Sequence, residues 1–322
     1  MTDQCSNTLL VLVGATGVGK TDLSIRLAQH YSCPIINADS RQIYRELPIG
    51  TAAPTEQEQA CATHYFVGNK SITDSYNAGQ YERDVLSLLD SLWSKHSVVV
   101  MTGGSMLYVD AVCYGLDAIP EVPTAIREQV NQQYEQYGLE WLQAQVQQLD
   151  PLYWQNADQA NPQRLKHCLE VTLAARRPYS SFRQMGVMGE RDKQLTHRNF
   201  RIVKVGLERP REELYQRINT RVEQMLDLGL EEEARTVYPH KHLNSLQTVG
   251  YRELFAYFDG QTSREEAIRL IKQNSRHYAK RQLTWLRADT TIHWLDANMD
   301  YDKALDIIDG WLHADGLLQQ NS

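Results

Sequence analysis

A parallel β-sheet with helices on both faces is the architecture that three observations predict. Residues 8–13 form a short apolar run rich in Leu and Val and closed by glycine, the pattern of a strand buried on both sides. Similar runs recur at 34–39, ending in Asp39, and at 97–102, followed by Gly103-Gly104. Between them lie segments with helical spacing: Leu23, Leu27 and Ala28 within 22–30, then Val85, Leu88, Leu89 and Leu92 within 84–93. Strands alternating with helices build parallel sheets.

The texture changes after about Gly115. From Pro120 to about Thr196 no strand-like run appears, and two proline-bounded stretches, 124–149 and 161–175, read as helices. Strand character returns at 200–207, and the remainder reads as helical, most clearly at 212–227, 231–237 and 264–287. The predicted organisation is therefore an α/β core of residues 1–118 and 197–322, interrupted by a helical insertion over 119–196. Its joins fall near Ile119 and Met188.

Composition narrows the classes of function. The 322 residues are 42% hydrophobic and 23% charged, ordinary values for a globular protein. No apolar run reaches the roughly 18–20 residues of a membrane span. Met1-Thr2-Asp3-Gln4-Cys5 lacks the basic region of a signal peptide, so a cytoplasmic location is expected. Cys5, Cys33, Cys61, Cys113 and Cys168 are odd in number and widely spread, against both a disulfide framework and a zinc cluster. The net charge of −7 carries no overall sign of nucleic-acid binding, which depends on where the basic residues sit.

Gly14-Ala15-Thr16-Gly17-Val18-Gly19-Lys20-Thr21 matches the phosphate-loop pattern in full, between a strand and a helix as that pattern requires. Its glycines let backbone N–H groups turn inward around anionic oxygens, and the helix N-terminus adds its dipole. Lys20 supplies a point charge, and the Thr21 hydroxyl is placed to ligate Mg²⁺. The core is thus of the P-loop NTPase-like kind. The motif does not say which phosphate compound is bound, and a small-molecule kinase using ATP fits it. Asp39 lies just past a strand end, where open α/β sheets bind ligands. It could serve as a base, as a metal-linked carboxylate or as a helix cap. The strand at 97–102 ends in Thr, leaving Asp39 as the one strand-end carboxylate for a kinase to use, which counts mildly against plain ATP chemistry.

Further motifs extend the pattern: Asn37-Ala-Asp-Ser-Arg-Gln-Ile-Tyr44, Ile49-Gly-Thr-Ala-Ala-Pro54 and Gly103-Gly-Ser-Met-Leu-Tyr108. They continue with Asn161-Pro-Gln-Arg164, Thr248-Val-Gly-Tyr-Arg252 and Tyr278-Ala-Lys-Arg-Gln-Leu-Thr-Trp285. In this order and spacing, over nearly the whole chain, the sequence resembles the tRNA dimethylallyltransferases, also called tRNA isopentenyl transferases. The resemblance implies a loop that holds dimethylallyl pyrophosphate rather than ATP, with Mg²⁺. It implies transfer of the dimethylallyl group to N6 of the adenosine just 3′ of the anticodon, in tRNAs reading codons that begin with U. Asp39 then matches the general base, Lys20 and Thr21 the groups that neutralise the leaving pyrophosphate, and Arg217 and Arg221 an arginine pair of which Arg221 is favoured to reach it. On pattern alone, that pair reads as a solvated face bridged to Glu213 or Glu223.

By the same resemblance, the contacts to the anticodon stem-loop fall on Asp39-Ser40-Arg41-Gln42, Ser105, Arg127, Gln163-Arg164-Leu165-Lys166-His167 and Gln247-Thr248-Val249-Gly250-Tyr251-Arg252. Ser105 stands where the family more often has Thr, His167 where many members have Arg, and Gln247 where some have Arg. Residues 262–287 carry seven Lys or Arg, among them Arg276, Lys280 and Arg281, against two Glu. At ~100° per residue, Arg269, Lys272, Arg276, Lys280 and Arg287 share about one quarter of a helix, while Tyr278 and Trp285 lie on an apolar arc expected to pack on the core. A solvated basic face and an RNA footprint both fit, and the resemblance favours RNA. Arg164, Lys166, Arg176, Arg177 and Arg183 add basic groups within the insertion. A monomer is expected, and an RNA-binding P-loop protein without transfer activity is a third reading.

Overall fold

The computed structural model describes residues 7–183 and 198–318, the last five as backbone. Cys5 and the join near Met188 lie outside them. In chain order the elements are β1 (Thr8–Gly14), α1 (Lys20–His30), β2 (Ile35–Asn37), α2 (Glu56–Cys61), β3 (His64–Tyr65), α3 (Ala78–Leu92), β4 (Val98–Thr102) and α4 (Met106–Tyr114). Then come α5 (Thr124–Leu149), α6 (Pro151–Asn156), α7 (Pro162–Ala175), β5 (Arg201–Glu208), α8 (Arg211–Asp227), α9 (Leu230–Val237), α10 (Tyr251–Phe258), α11 (Arg264–Arg287), β6 (Ile292–Asp296) and α12 (Tyr301–Leu318).

Among the described residues the six strands form one sheet in the order β3-β2-β4-β1-β5-β6, every pair parallel. β1 lies at its centre, with Leu10 opposite Val100 on one side and Val203 on the other. All seven of its residues are buried, the cause of its unbroken apolar run. Leu10 and Leu12 pack with Leu23 and Leu27 of α1, Leu214 and Ile218 of α8, and Ile308 of α12. Leu9 and Val11 point to the opposite face and are equally buried, so both faces of the sheet are covered. Tyr81 of α3 stacks on Tyr108 of α4 and donates to Asn37 O at 2.9 Å.

Two parts of the sequence reading need correction. Residues 288–318 are not wholly helical, because β6 adds an edge strand beside β5 with Val205 opposite His293. Only Ile292 and Leu295 of β6 are buried, so a short edge strand carries too little apolar signal to stand out. β3, two residues long, was likewise silent. The stretch 124–149 is not one continuous helix either. Gly138 adopts φ 75°, ψ −165°, which breaks α5 into two segments at a residue without a Cβ.

The chain divides into two compact units, Met1–Tyr114 with Thr196–Ser322, and Gly115–Leu195. In the second, Val130, Leu142, Val146, Leu165 and Leu169 of α5 and α7 form a separate core. Asp150 caps α6, accepting from Tyr153 N at 3.0 Å, and accepts from Ser180 N and Oγ at 2.7 Å, so one buried carboxylate ties three segments of that unit.

Candidate active site

The phosphate loop joins β1 to α1 in the first unit. Gly14 sits so close to β5 that a Cβ would meet Leu207 O at 2.9 Å, and Gly19 caps α1 with φ 114°. Arg209 braces the loop from outside through Val18 O at 2.7 Å. Inside, Lys20 Nζ donates to Gly14 O at 2.9 Å and Ala15 O at 3.1 Å. Burial, and then the nearby positive charge of Arg221, lower the Lys20 pKa to about 8, with Asp39 acting the other way.

A cavity of about 510 Å³ opens at the carboxyl ends of the strands. Lys20 and Thr21 line it from the loop, Asp39 and Gln42 from the segment after β2, Gly103 and Gly104 from the turn after β4, and Arg217 and Arg221 from α8. Asp39 caps the turn that follows it, where the cap reading expected a helix. Its Oδ1 accepts from Arg41 N at 2.9 Å and Gln42 N at 3.4 Å, as a cap would, while Oδ2 faces the Gly104 turn.

The arginine pair does not form the solvated bridges that pattern alone suggested. Glu213 pairs with Arg209, and Glu223 with Lys272 at 2.6 Å. Arg217 Nε instead donates to Gly17 O at 3.0 Å. Arg221 lies deeper, donating to Thr16 Oγ1 and Ala52 O, both at 3.4 Å, and burial lowers its pKa. A second, smaller cavity of about 130 Å³ shares Thr16, Asp39, Thr51, Arg221 and Tyr278 with the first, and Ile218, Val222, Met225 and Ile271 line it beside the polar Arg41 and Ser275.

The residues expected at RNA are distributed unevenly. Tyr251 and Leu165 are fully buried, so their side chains cannot reach a polynucleotide. Tyr251 is held by a hydrogen bond to Glu233 at 2.5 Å, and Leu165 is core. Gly250 is also buried. Gln42 Nε2 is turned to Thr51 O at 3.1 Å and Ala52 O at 3.0 Å. Ser105 Oγ bonds Ser40, accepting from its N–H at 2.8 Å and donating to its Oγ at 2.9 Å. Arg127, Gln163, Arg164, His167, Gln247 and Arg252 are exposed, Thr248 and Val249 half-buried. Lys166 donates to Asn131 at 2.9 Å.

The basic stripe of α11 is largely neutralised. Arg269 pairs with Glu266 at 2.7 Å, Lys272 with Glu223, and Arg287 with Glu208 at 3.8 Å. Two of these carboxylates come from other elements, beyond what the spacing of one helix can show. Among the described residues Arg276, Lys280 and Arg281 have no carboxylate partner; Arg276 donates to Asn219 at 2.6 Å. Tyr278, expected to pack on the core, lines both cavities and donates to Gly104 O at 3.0 Å. Sequence reasoning gave no site role to Tyr278, Gln282, Glu58 or His64, all of which line the larger cavity. The i, i+4 spacing of Tyr278 and Gln282 in a quoted motif was the available signal for two of them.

Among the described residues no cluster of three His, Cys, Asp or Glu could hold a metal ion, and no helix is long and apolar enough to cross a membrane. Fold and site together define a P-loop α/β protein with a carboxylate lining the same cavity as the loop. Residues 42–289 match the model of the family described as IPP transferase. The chain belongs to that family. It is 50% identical over 302 residues to tRNA dimethylallyltransferase 2 of Porphyromonas gingivalis, covering 94% of this chain and 98% of that one. It is 51% identical over 290 residues to tRNA dimethylallyltransferase 1 of Phocaeicola vulgatus, covering 89% and 93%. The crystal structure of the full-length tRNA isopentenylpyrophosphate transferase of Bacillus halodurans aligns with TM-score 0.71 at 30% identity, over 98% of this chain and all of that one.

Proposed function

We propose that this protein is a prenyl transferase that moves the dimethylallyl group of dimethylallyl pyrophosphate to a tRNA. The acceptor is N6 of the adenosine just 3′ of the anticodon, in tRNAs reading codons that begin with U. The observation that carries this reading is the cavity in which Lys20 and Thr21 of the phosphate loop, Arg221 and the Asp39 carboxylate meet. A kinase could use the loop and a carboxylate, but a prenyl donor has both a pyrophosphate and a hydrocarbon to place, which suits a phosphate loop beside a side cavity that Ile218, Val222, Met225 and Ile271 help to line. The names of the similar relatives support a tRNA as the acceptor.

In the reaction the N6 lone pair forms a bond to C1 of the allyl group as the C1–O bond breaks. The electron pair leaves with pyrophosphate, and the N6 proton passes to Asp39. Lys20, Arg217 and Arg221 stabilise the charge that develops on the departing oxygens. Mg²⁺ supplies further neutralisation there when bound. Thr21 and the donor's own oxygens fit it better than a protein cage would, because among the described residues no carboxylate cluster could hold a metal, and Mg²⁺ commonly takes few protein ligands beside substrate phosphates. Presenting N6 to Asp39 requires the base to leave its stack, at a cost of a few kcal/mol. The helical unit 115–195, with Arg127, Gln163, Arg164, Lys166 and His167, serves tRNA binding, as do Arg252, Arg276, Lys280 and Arg281. A cytoplasmic monomer suits this substrate.

The test is an incubation with labelled dimethylallyl pyrophosphate, unmodified tRNA and Mg²⁺. Label is expected in the tRNA. Turnover of ATP with a small acceptor and no labelled tRNA would establish the kinase reading; tRNA binding with neither reaction would establish a binding protein.

A further inference from the structure

The glycine turns that close β1 and β4 are tied together by one side chain. Gln282, from the inner face of α11, is 3% exposed, and both ends of its amide are engaged. Oε1 accepts from Thr16 N at 2.9 Å, and Nε2 donates to Gly104 O at 2.8 Å. These partners fix the orientation of the amide, since a backbone N–H only donates and a carbonyl only accepts. One helical turn earlier the Tyr278 hydroxyl donates to the same carbonyl. Gly104 in turn backs onto Asp39 Oδ2, and Thr16 Oγ1 receives Arg221. The contacts run unbroken from the phosphate loop to the carboxylate.

A side chain that only filled space between helix and sheet would need no amide there; methionine has nearly the same volume and no polar group to satisfy. What the amide adds is a fixed spacing between two turns that carry different halves of the site. We infer that Gln282 is a positioning residue for the prenyl transfer proposed above, on which this inference rests. It sets the separation between the pyrophosphate seat and Asp39, and so the alignment of the allylic carbon with the acceptor nitrogen. Of the loop groups expected to hold the pyrophosphate, Gln282 engages the Thr16 N–H alone, while Lys20, Thr21, Gly17 and Gly19 make no hydrogen bond to it. Donor affinity therefore survives its loss while alignment does not.

Gln282→Met is expected to lower kcat about 100-fold while donor KM changes less than about threefold, the split that misalignment of a bound substrate gives. Gln282→Glu supplies a second readout. Its ionised carboxylate still accepts from Thr16 N but sets oxygen against Gly104 O, and only the protonated form restores the donor. The ratio of its rate to that of the wild type should rise as pH falls, whereas a space-filling role leaves the ratio flat. Should Gln282→Met fail to fold in a thermal melt, that ratio decides. An unimpaired kcat in Gln282→Met, a loss carried by KM alone, or a flat ratio overturns the positioning role. A wild-type protein that binds the donor and transfers nothing overturns the functional reading instead.

Discussion

Asp39 Oδ2 and the α-carbon of Gly104 are in such close approach that a methyl group on Gly104 would lie 2.9 Å from that oxygen, and 3.0 Å from Gln282 Nε2. The carboxylate proposed to take the N6 proton thus has its free oxygen set by a glycine two strand-ends away and its other oxygen by the Arg41 amide. Gly104→Ala must displace one of the two. Transfer is expected to fall about 100-fold, since a shift near 1 Å at a reacting group costs that much. Single-turnover assays at saturating donor would show it, and an undiminished rate would mean that the turn yields without moving Asp39.

Asp39→Ala should abolish transfer yet leave tRNA affinity within about a factor of ten, because phosphate contacts dominate such affinities. A filter-binding titration separates the two effects. Loss of binding in step with activity would instead mark Asp39 as the structural support of the Arg41-Gln42 turn.

The Lys20 pKa of about 8 makes donor binding pH-dependent. Below that value the free protein already carries the proton that an anionic pyrophosphate requires. Above it binding must take up a proton, so affinity falls as pH rises from about 8 towards the raised pKa of the bound state. Donor Kd measured calorimetrically between pH 7 and 10 should be flat at first and then weaken, with net proton uptake in the alkaline range. A Kd that improves with pH would contradict the assignment of Lys20 to the donor.

Glu233 holds the segment that reaches the cavities with Thr51. It accepts from Ile49 N and Gly50 N, each at 2.8 Å, and from the Tyr251 hydroxyl. Glu233→Ala leaves those three donors without partners and should cost about 2 kcal/mol, with a lower thermal midpoint and a raised donor KM. Glu233→Gln keeps an acceptor and should cost less. Equal losses for both would assign the effect to charge rather than to the hydrogen bonds.

The ion pairs of α11 divide its basic residues into two groups. Replacing Arg276 and Lys280 by Ala should reduce the slope of log K against log salt for tRNA binding by about 1 per residue. Replacing Arg269 and Lys272, whose charges are met by Glu266 and Glu223, should change it far less. An unchanged slope for the first pair would remove α11 from the RNA interface.

The phosphate loop, the strand ending at Asp39, the Gly103-Gly104 turn and the extent of α11 were all legible in the sequence, because each is a local pattern. A glycine that must turn, a strand buried on both sides and a helix with an apolar arc each announce themselves within a dozen residues. The edge strand β6 was not, since its pairing with β5 settles it, and a lone glycine within a helical run does not by itself mark the break at Gly138.

By itself, then, the sequence determined a P-loop α/β core, a phosphate-binding loop and the residues to be tested around it. Only the tertiary structure decided which of those side chains face the site. It sent Tyr251 and Leu165 into cores, gave Arg269 and Lys272 carboxylate partners, and brought Gln282 across 266 residues of chain to Thr16. The reason is physical: a burial pattern is written along one element, whereas a hydrogen bond or an ion pair is settled by whichever element packs against it.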